Sequence, residues 1–329
     1  REQRVRAFVA ELYKLGGSLP AGPASGASPV RWLDDSSRLI EQRFAGQHDL
    51  QAELYGLVAD GYAQMGAGSL AAQAQDRRVA ALQAAGAAAP ARAEALLDAA
   101  QAQLDRRQPQ QAETLLARAD AALAPASPRR ALLGARVALA LGRPEQARLG
   151  LQMWEQQAAA PDGAQRAWAG ALRAELLLLG GGPVAEALAA LQQAAAEAPG
   201  LLAAELRLRG ASWAVQGRRN AEAQALFDEA RAALLAAGGL HRIRATVETV
   251  AFWNLLSGWS ALQPLEPRLQ ELDRLLAELR GQGDAVPSLL LAELESNAGS
   301  IHLNRGDLQR ARPLIERGLA LRLQALGTP

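Results

Sequence analysis

Apolar and small side chains recur along this chain at helical spacing, and the helices they predict come in pairs. The last pair, residues 291–327, shows the pattern most plainly. Gly299 and Gly306 stand seven apart, and Ala311 follows five residues after the second. Leu308 comes just after the turn, and Leu314, Ile315 and Leu319 continue an apolar face. Small residues let two helices cross closely, and glycine tolerates the left-handed conformation that ends a helix. The spacing therefore predicts a helical hairpin closed by a Gly-Asp turn.

Similar hairpins are predicted upstream from residue 50 onward. Tyr62, Gly66 and Ala71 mark the first, and Leu96, Ala100, Ala112, Leu116 and Ala119 the second. The third carries Ala135, Gly142 and Ala147 and ends at Trp154. Trp168 opens the fourth, which has a lengthened Gly-Gly-Gly-Pro turn followed by Ala187, Leu191, Ala194 and Pro199. Gly210, Trp213, Gly217, Ala223, Phe227 and Ala230 mark the fifth, with one extra residue expected in its turn. Between Ile243 and Leu279 lies a divergent pair, with Phe252, Trp253 and Trp259 on its first helix and Leu265 to Leu279 forming its second.

The chain opens differently. Residues 1–15 are amphipathic, with Val5, Phe8, Val9, Leu12 and Leu15 at helical spacing. Residues 16–30 form a Gly/Pro/Ser-rich linker, and the helical domain is expected over residues 31–329. A helix from Trp32 to Phe44 begins that domain, with Asp34, Asp35, Ser36 and Ser37 expected at its capped end.

Composition narrows the function. Ala and Leu dominate and aromatics make up 4%, a balance that suits helices over sheets. Thirty-five basic against 34 acidic residues leave a net charge of +1, too little to recruit nucleic acid or an anionic membrane. The absence of cysteine removes disulfides, thiolate catalysis and cysteine-ligated zinc. No apolar run is long enough to span a bilayer. Without an initiator Met or a signal-peptide pattern, the chain is expected to be part of a longer protein.

The recurring hairpin resembles the tetratricopeptide repeat, whose period is about 34 residues. Gly210, Trp213, Phe227 and Ala230 fall on the small, aromatic, aromatic and small positions of that repeat, and Gly299, Gly306 and Ala311 do so in the last hairpin. Pro199 stands at the terminal proline position, while Ala replaces the first-helix glycine in three repeats. The resemblance covers residues 50–327 and implies an all-α fold, a right-handed solenoid of helical hairpins with a concave groove.

Motifs of catalysis are missing. His48, His241 and His302 are dispersed, and His302 occupies an aromatic repeat position, where packing explains it. Neither a phosphate-binding loop, a nucleophile elbow nor a metal-binding helix motif occurs, so no catalytic, cofactor or metal residues are expected. The register of the repeat does place Arg129 and Arg136 seven apart on the third hairpin's first helix, Arg166 and Arg173 likewise on the fourth, and Arg207 on the fifth. Seven residues is about two turns, so each pair shares a face. Aligned across hairpins they would line the groove with positive charge and receive an acidic peptide or carboxylate; unaligned they are a solvated face. Glu53 and Asp60 hold those positions in the first hairpin. Phe252, Trp253 and Trp259 offer a second surface, with core packing as the simpler reading.

Val5, Phe8, Leu12, Gln51, Leu54 and Tyr62 fit a further arrangement. An amphipathic helix, a linker and an acid-rich first hairpin resemble the extracytoplasmic region of bacterial transmembrane serine/threonine kinases of the eukaryotic-like type. That resemblance implies a periplasmic, non-catalytic sensor that binds a protein or peptide. It would act through a kinase domain and a membrane helix upstream of Arg1, and dimerisation of the chain would fit that role. A ligand-binding domain of a cytoplasmic transcriptional regulator and a free-standing assembly scaffold are the competing expectations.

Overall fold

In a computed structural model, residues 29–64, 68–121, 127–258, 264–283 and 286–326 are described, and among them all regular structure is helical. The predicted amphipathic helix 1–15 and nearly all of the linker lie outside these residues, as do Gly66 and Trp259. The chain divides after Ala160 into two compact units. The first holds α1 (Pro29–Arg43), α2 (His48–Gln64), α3 (Gly68–Ala84), α4 (Ala89–Asp105), α5 (Pro109–Asp120), α6 (Pro128–Ala140) and α7 (Pro144–Gln157). The second holds α8 (Gly163–Leu179), α9 (Val184–Glu197), α10 (Leu201–Gln216), α11 (Asn220–Ala237), α12 (Leu240–Gly258), α13 (Leu265–Gly281), α14 (Ser288–Asn304) and α15 (Leu308–Leu326).

Within each unit the helices stack as hairpins in chain order, as in an α-solenoid. α2 pairs with α3, α4 with α5 and α6 with α7; α8 pairs with α9, α10 with α11 and α14 with α15. Within each unit second helices also pack on the first helix that follows, α5 on α6 and α11 on α12, with α3 on α4 and α9 on α10 the closest. Ala71, Ala112, Ala147, Ala187, Ala223 and Ala311 are all buried at these crossings, so a larger side chain would have no room. Tyr62 and Gly210 are buried as well, while Trp213 is half-buried. Gly299 and Gly318 mark a close approach of α14 and α15: a methyl group on Gly299 would lie 2.6 Å from Ile315 Cγ1 and 3.1 Å from the Ala311 carbonyl oxygen, and one on Gly318 2.9 Å from the Ala292 carbonyl oxygen.

The turns share one geometry. In five of them the second residue past the first helix takes positive φ: Gly142 (72°), Gly181 (80°), Gly306 (77°), Arg107 (59°) and Arg218 (57°). The residue that follows donates its N–H to the carbonyl five residues back, Arg143 to Ala138 at 2.9 Å and Asp307 to His302 at 3.0 Å. Arg219 to Ala214 and Gln108 to Gln103 repeat the bond. This corrects the fifth turn. Gly217 has a negative φ, and Arg218 occupies the seat that glycine holds elsewhere, five residues before Ala223. No residue is inserted there; the Gly-Gly-Gly-Pro turn is longer, with Gly181 (φ 80°) six residues before Ala187.

Two further expectations change. α1 starts at Pro29, a residue whose fixed φ suits a first helical position, so helix replaces the end of the linker. Asp34 to Ser37 therefore lie inside the helix instead of capping it, and Ser36 and Ser37 are buried. The divergent pair is not a close hairpin: α12 runs against α14 and barely approaches α13. Leu269, Leu272, Leu276 and Leu279 of α13 still reach the core shared with Leu294 and Ile301 of α14. Long leucines there do what backbone proximity does elsewhere. The buried Glu295 receives both ends of the Arg280 guanidinium at 2.7 Å, tying α13 to α14.

Three outcomes follow from these contacts. Arg107→Gly and Arg218→Gly are each expected to raise stability by about 1 kcal/mol, and Gly142→Ala to lower it by about 1 kcal/mol, read from urea unfolding curves. Arg280→Met leaves Glu295 buried without its bidentate partner and is expected to cost about 3 kcal/mol in the same assay. Burial lowers the His302 pKa, against the opposing pull of Asp307. The neutral ring is thus the native form and the unfolded chain binds the extra proton. Stability should decline as pH falls below the ordinary histidine value near ~6.5, and His302→Phe should remove that part of the slope.

Candidate functional site

The arginine rows are built into the fold as links between helices. Arg129 on α6 pairs with Glu94 (2.5 Å) and with Asp98 of α4, while Arg136 bonds Gln101 and lies 3.7 Å from Asp105. Asp98 also takes Arg78 of α3 at 2.6 Å. Burial raises the Asp60 pKa, helped by the charge of Asp98 and opposed by Arg78. In the second unit Arg166 pairs with Glu197 of α9 (3.3 Å) and donates to the Pro161 carbonyl (2.6 Å). Arg173 is exposed on α8 and has interactions of its own. Arg207 turns to Glu229 of its hairpin partner, at 2.8 Å.

On α10 the link back to the preceding first helix is made by a different residue. Arg209 donates to Glu175 of α8 at 2.8 Å and places its guanidinium 6.0 Å from the Trp168 ring centroid. The sequence held a usable signal for it. Glu175 and Arg209 are 34 residues apart, and Glu94 and Arg129 are 35 apart, one repeat in each case. An acid answered by arginine one period later marks adjacent first helices. Four of the five arginines named from the sequence, Arg129, Arg136, Arg166 and Arg207, thus have a carboxylate within 4 Å.

A concave feature opens instead where α13 stands away from α12. Helices α11, α12 and α13 enclose a cleft of about 500 Å³. Its apolar lining is Phe227, Trp253 and Leu275. Phe227 is held by a parallel stack on Phe252, with centroids 4.3 Å apart. Arg268 of α13 lies over the Trp253 ring at 5.2 Å from its centroid, a cation–π contact. Thr249 and Thr246 of α12 return their hydroxyls to carbonyls of their own helix, at 2.7 and 3.3 Å, which leaves oxygen lone pairs available.

Charge in the cleft is partitioned. The Glu271 carboxylate accepts both arms of Arg274 (2.8 and 2.5 Å), and that bond, reinforced by Arg274 and Arg231, holds its pKa below the ordinary value. Asp228 accepts from Gln224 at 3.0 Å. Arg231, on the α11 wall, has no ion-pair partner among the described residues. The cleft therefore offers an aromatic floor, an arginine on each of two walls, two acids engaged within the fold, and a third acid, Glu278, on α13. The aromatic pair Phe252 and Trp253 noted in the sequence splits its roles: Phe252 stacks in the core and Trp253 faces the cleft.

Among the described residues, no helix is long and apolar enough to cross a membrane, and no three His, Asp or Glu side chains are grouped to hold a metal. No protein-family model matches the sequence, and no curated protein matches it. Arg209→Met is expected to cost under about 1 kcal/mol, because its pair with Glu175 is a third exposed. Added salt should shrink that difference, as a thermal-melt series would record.

Proposed function

We propose that this chain is a tetratricopeptide-like recognition domain that binds a peptide or protein segment and performs no chemistry itself. The observation that carries this reading is the fixed seat of small residues. Ala112, Ala147, Ala223 and Ala311 each follow their turn residue by five positions, and with Ala71 and Ala187 they are buried at the crossings of the six close hairpins. A scaffold of this kind exposes long helical surfaces whose loss of side-chain variety is confined to the crossings, and recognition is what such surfaces do. The α11–α13 cleft is the proposed ligand seat. It suits an apolar or aromatic side chain resting on Trp253 and a carboxylate drawn to Arg231 and Arg268.

The wider assignment is the extracytoplasmic sensor of a bacterial transmembrane serine/threonine kinase. Its support is the arrangement of Val5, Phe8, Leu12, Gln51, Leu54 and Tyr62 ahead of and within the first hairpin. In this reading the ligand binds outside the membrane and alters pairing of the kinase domains within the cell.

Two measurements test these readings separately. Acetyl-phenylalanyl-aspartate is expected to change the tryptophan emission of the chain with a dissociation constant in the range of about 1 mM or tighter. Arg231→Glu should abolish the change, and an unaltered response in that variant would remove the cleft as the seat. The coding sequence upstream of Arg1 is expected to carry a kinase catalytic domain and one apolar span of about 20 residues. A DNA-binding module in that place would replace the sensor reading with a transcriptional regulator.

A further inference from the structure

The α11–α13 cleft carries more charge than a seat for a carboxylate alone requires. Along α13 its lining residues Arg268, Glu271, Arg274 and Glu278 recur every three or four positions, so they share one face of the helix and alternate in sign. The middle two cancel, because Arg274 donates both arms to Glu271 at 2.8 and 2.5 Å. A positive end and a negative end remain. Arg268 and Glu278 stand ten residues apart, about 15 Å along the helix axis. Arg268 rests 5.2 Å from the centroid of the Trp253 ring, so the aromatic floor belongs to the positive end.

Glu278, at the other end, has no counterpart. It is exposed and forms no ion pair among the described residues. Its attraction to Arg274 acts only at longer range, and that guanidinium is already committed to Glu271. Asp228 on the α11 wall differs, since it accepts a hydrogen bond from Gln224 at 3.0 Å. Among the described residues no three acids are grouped to hold a metal, so an organic cation is what Glu278 fits. A ligand of negative charge alone would set its carboxylate against Glu278 as well as toward Arg231.

We propose that the segment seated in this cleft is bipolar: besides an aromatic side chain and a carboxylate, it carries a lysine or arginine that answers Glu278. This rests on the cleft being the ligand seat and adds the third group that the ligand must present. The wall also sets the spacing. An extended chain rises about 3.3 Å per residue, so three residues cover roughly 10 Å of the distance from the aromatic floor. The four-carbon stem of a lysine supplies the rest and keeps its ammonium in water beside the exposed carboxylate. Phe-Asp-Ala-Lys meets these conditions, and so does the reverse order, Lys-Ala-Asp-Phe.

The test titrates both peptides, acetylated and amidated, against the whole chain at low salt, with tryptophan emission as the readout. Versions with alanine or glutamate in place of the lysine are run beside them. In the direction that binds, the lysine peptide is expected to bind about threefold more tightly than the alanine peptide and about tenfold more tightly than the glutamate peptide. Added salt should shrink both ratios. Glu278→Gln should remove the advantage of lysine over alanine, and Glu278→Lys should place the glutamate peptide ahead of the lysine peptide. The position is on the surface, and unchanged circular dichroism melts will show that the variants fold. Equal binding of the three peptides, in a response that Arg231→Glu removes, overturns the proposal and leaves the cleft as a seat for a carboxylate. A lysine preference that survives Glu278→Lys overturns it too, because the cation would then lie elsewhere. Binding of no peptide removes the cleft as the seat, and the bipolar ligand with it.

Discussion

A methyl group is about all that the crossing of two helices in each hairpin admits. Where the crossing residue is Ala it is buried without a gap, and where it is Gly299 even a methyl would press on Ile315 and the Ala311 carbonyl. This steric limit sets the distance between helices. It also sets which side chains can be large: Leu96, Leu191, Leu206 and Phe227 fill the spaces that close crossings leave between hairpins. Dispersion contacts at that density are individually small and collectively decisive. The left-handed turn residue serves the same end, reversing the chain in few enough residues that both helices meet at their small positions.

Where the limit is relaxed, the packing changes kind. α12 and α13 have valines, aromatics and leucines in place of the small row, and the two helices stand apart. α13 is held to α14 by the Arg280–Glu295 pair, and to α15 by the longer approach of Asp273 to Arg310 at 3.9 Å. The space left toward α11 is the cleft. An irregular repeat in an otherwise regular array is thus also the place where a concave, mixed aromatic and charged surface arises, and the two facts have one cause.

Charge plays a second, quieter part. Most described arginines on the first helices are spent on acids of a neighbouring helix, Arg129 on Glu94 and Asp98, Arg209 on Glu175. Partly exposed pairs of this kind add little stability each. The near-zero net charge of the chain is the sum of that local matching. The cleft stands out against it, because Arg231 has no ion pair among the described residues and acts on Glu271 only at longer range.

Much of the fold was legible in the linear pattern. Six close hairpins and their buried small residues follow from spacing, because helix period and crossing distance are local properties of backbone and side-chain size; the pairing of α12 with α14 in place of α13 does not. Gly142 and Gly306 announced their turns. Arg107 and Arg218 did not, since their positive φ is imposed by flanking helices that dock regardless of the residue between them. The arginine spacing was visible too, but whether Arg207 or Arg209 faces the preceding hairpin depends on helix rotation, which packing decides. Only the tertiary structure could place Trp253 beside Arg231 and Arg268, residues from three helices that no periodicity relates. Sequence periodicity encodes what lies next to what within one repeat; a gap between helices exists only once all of them are packed.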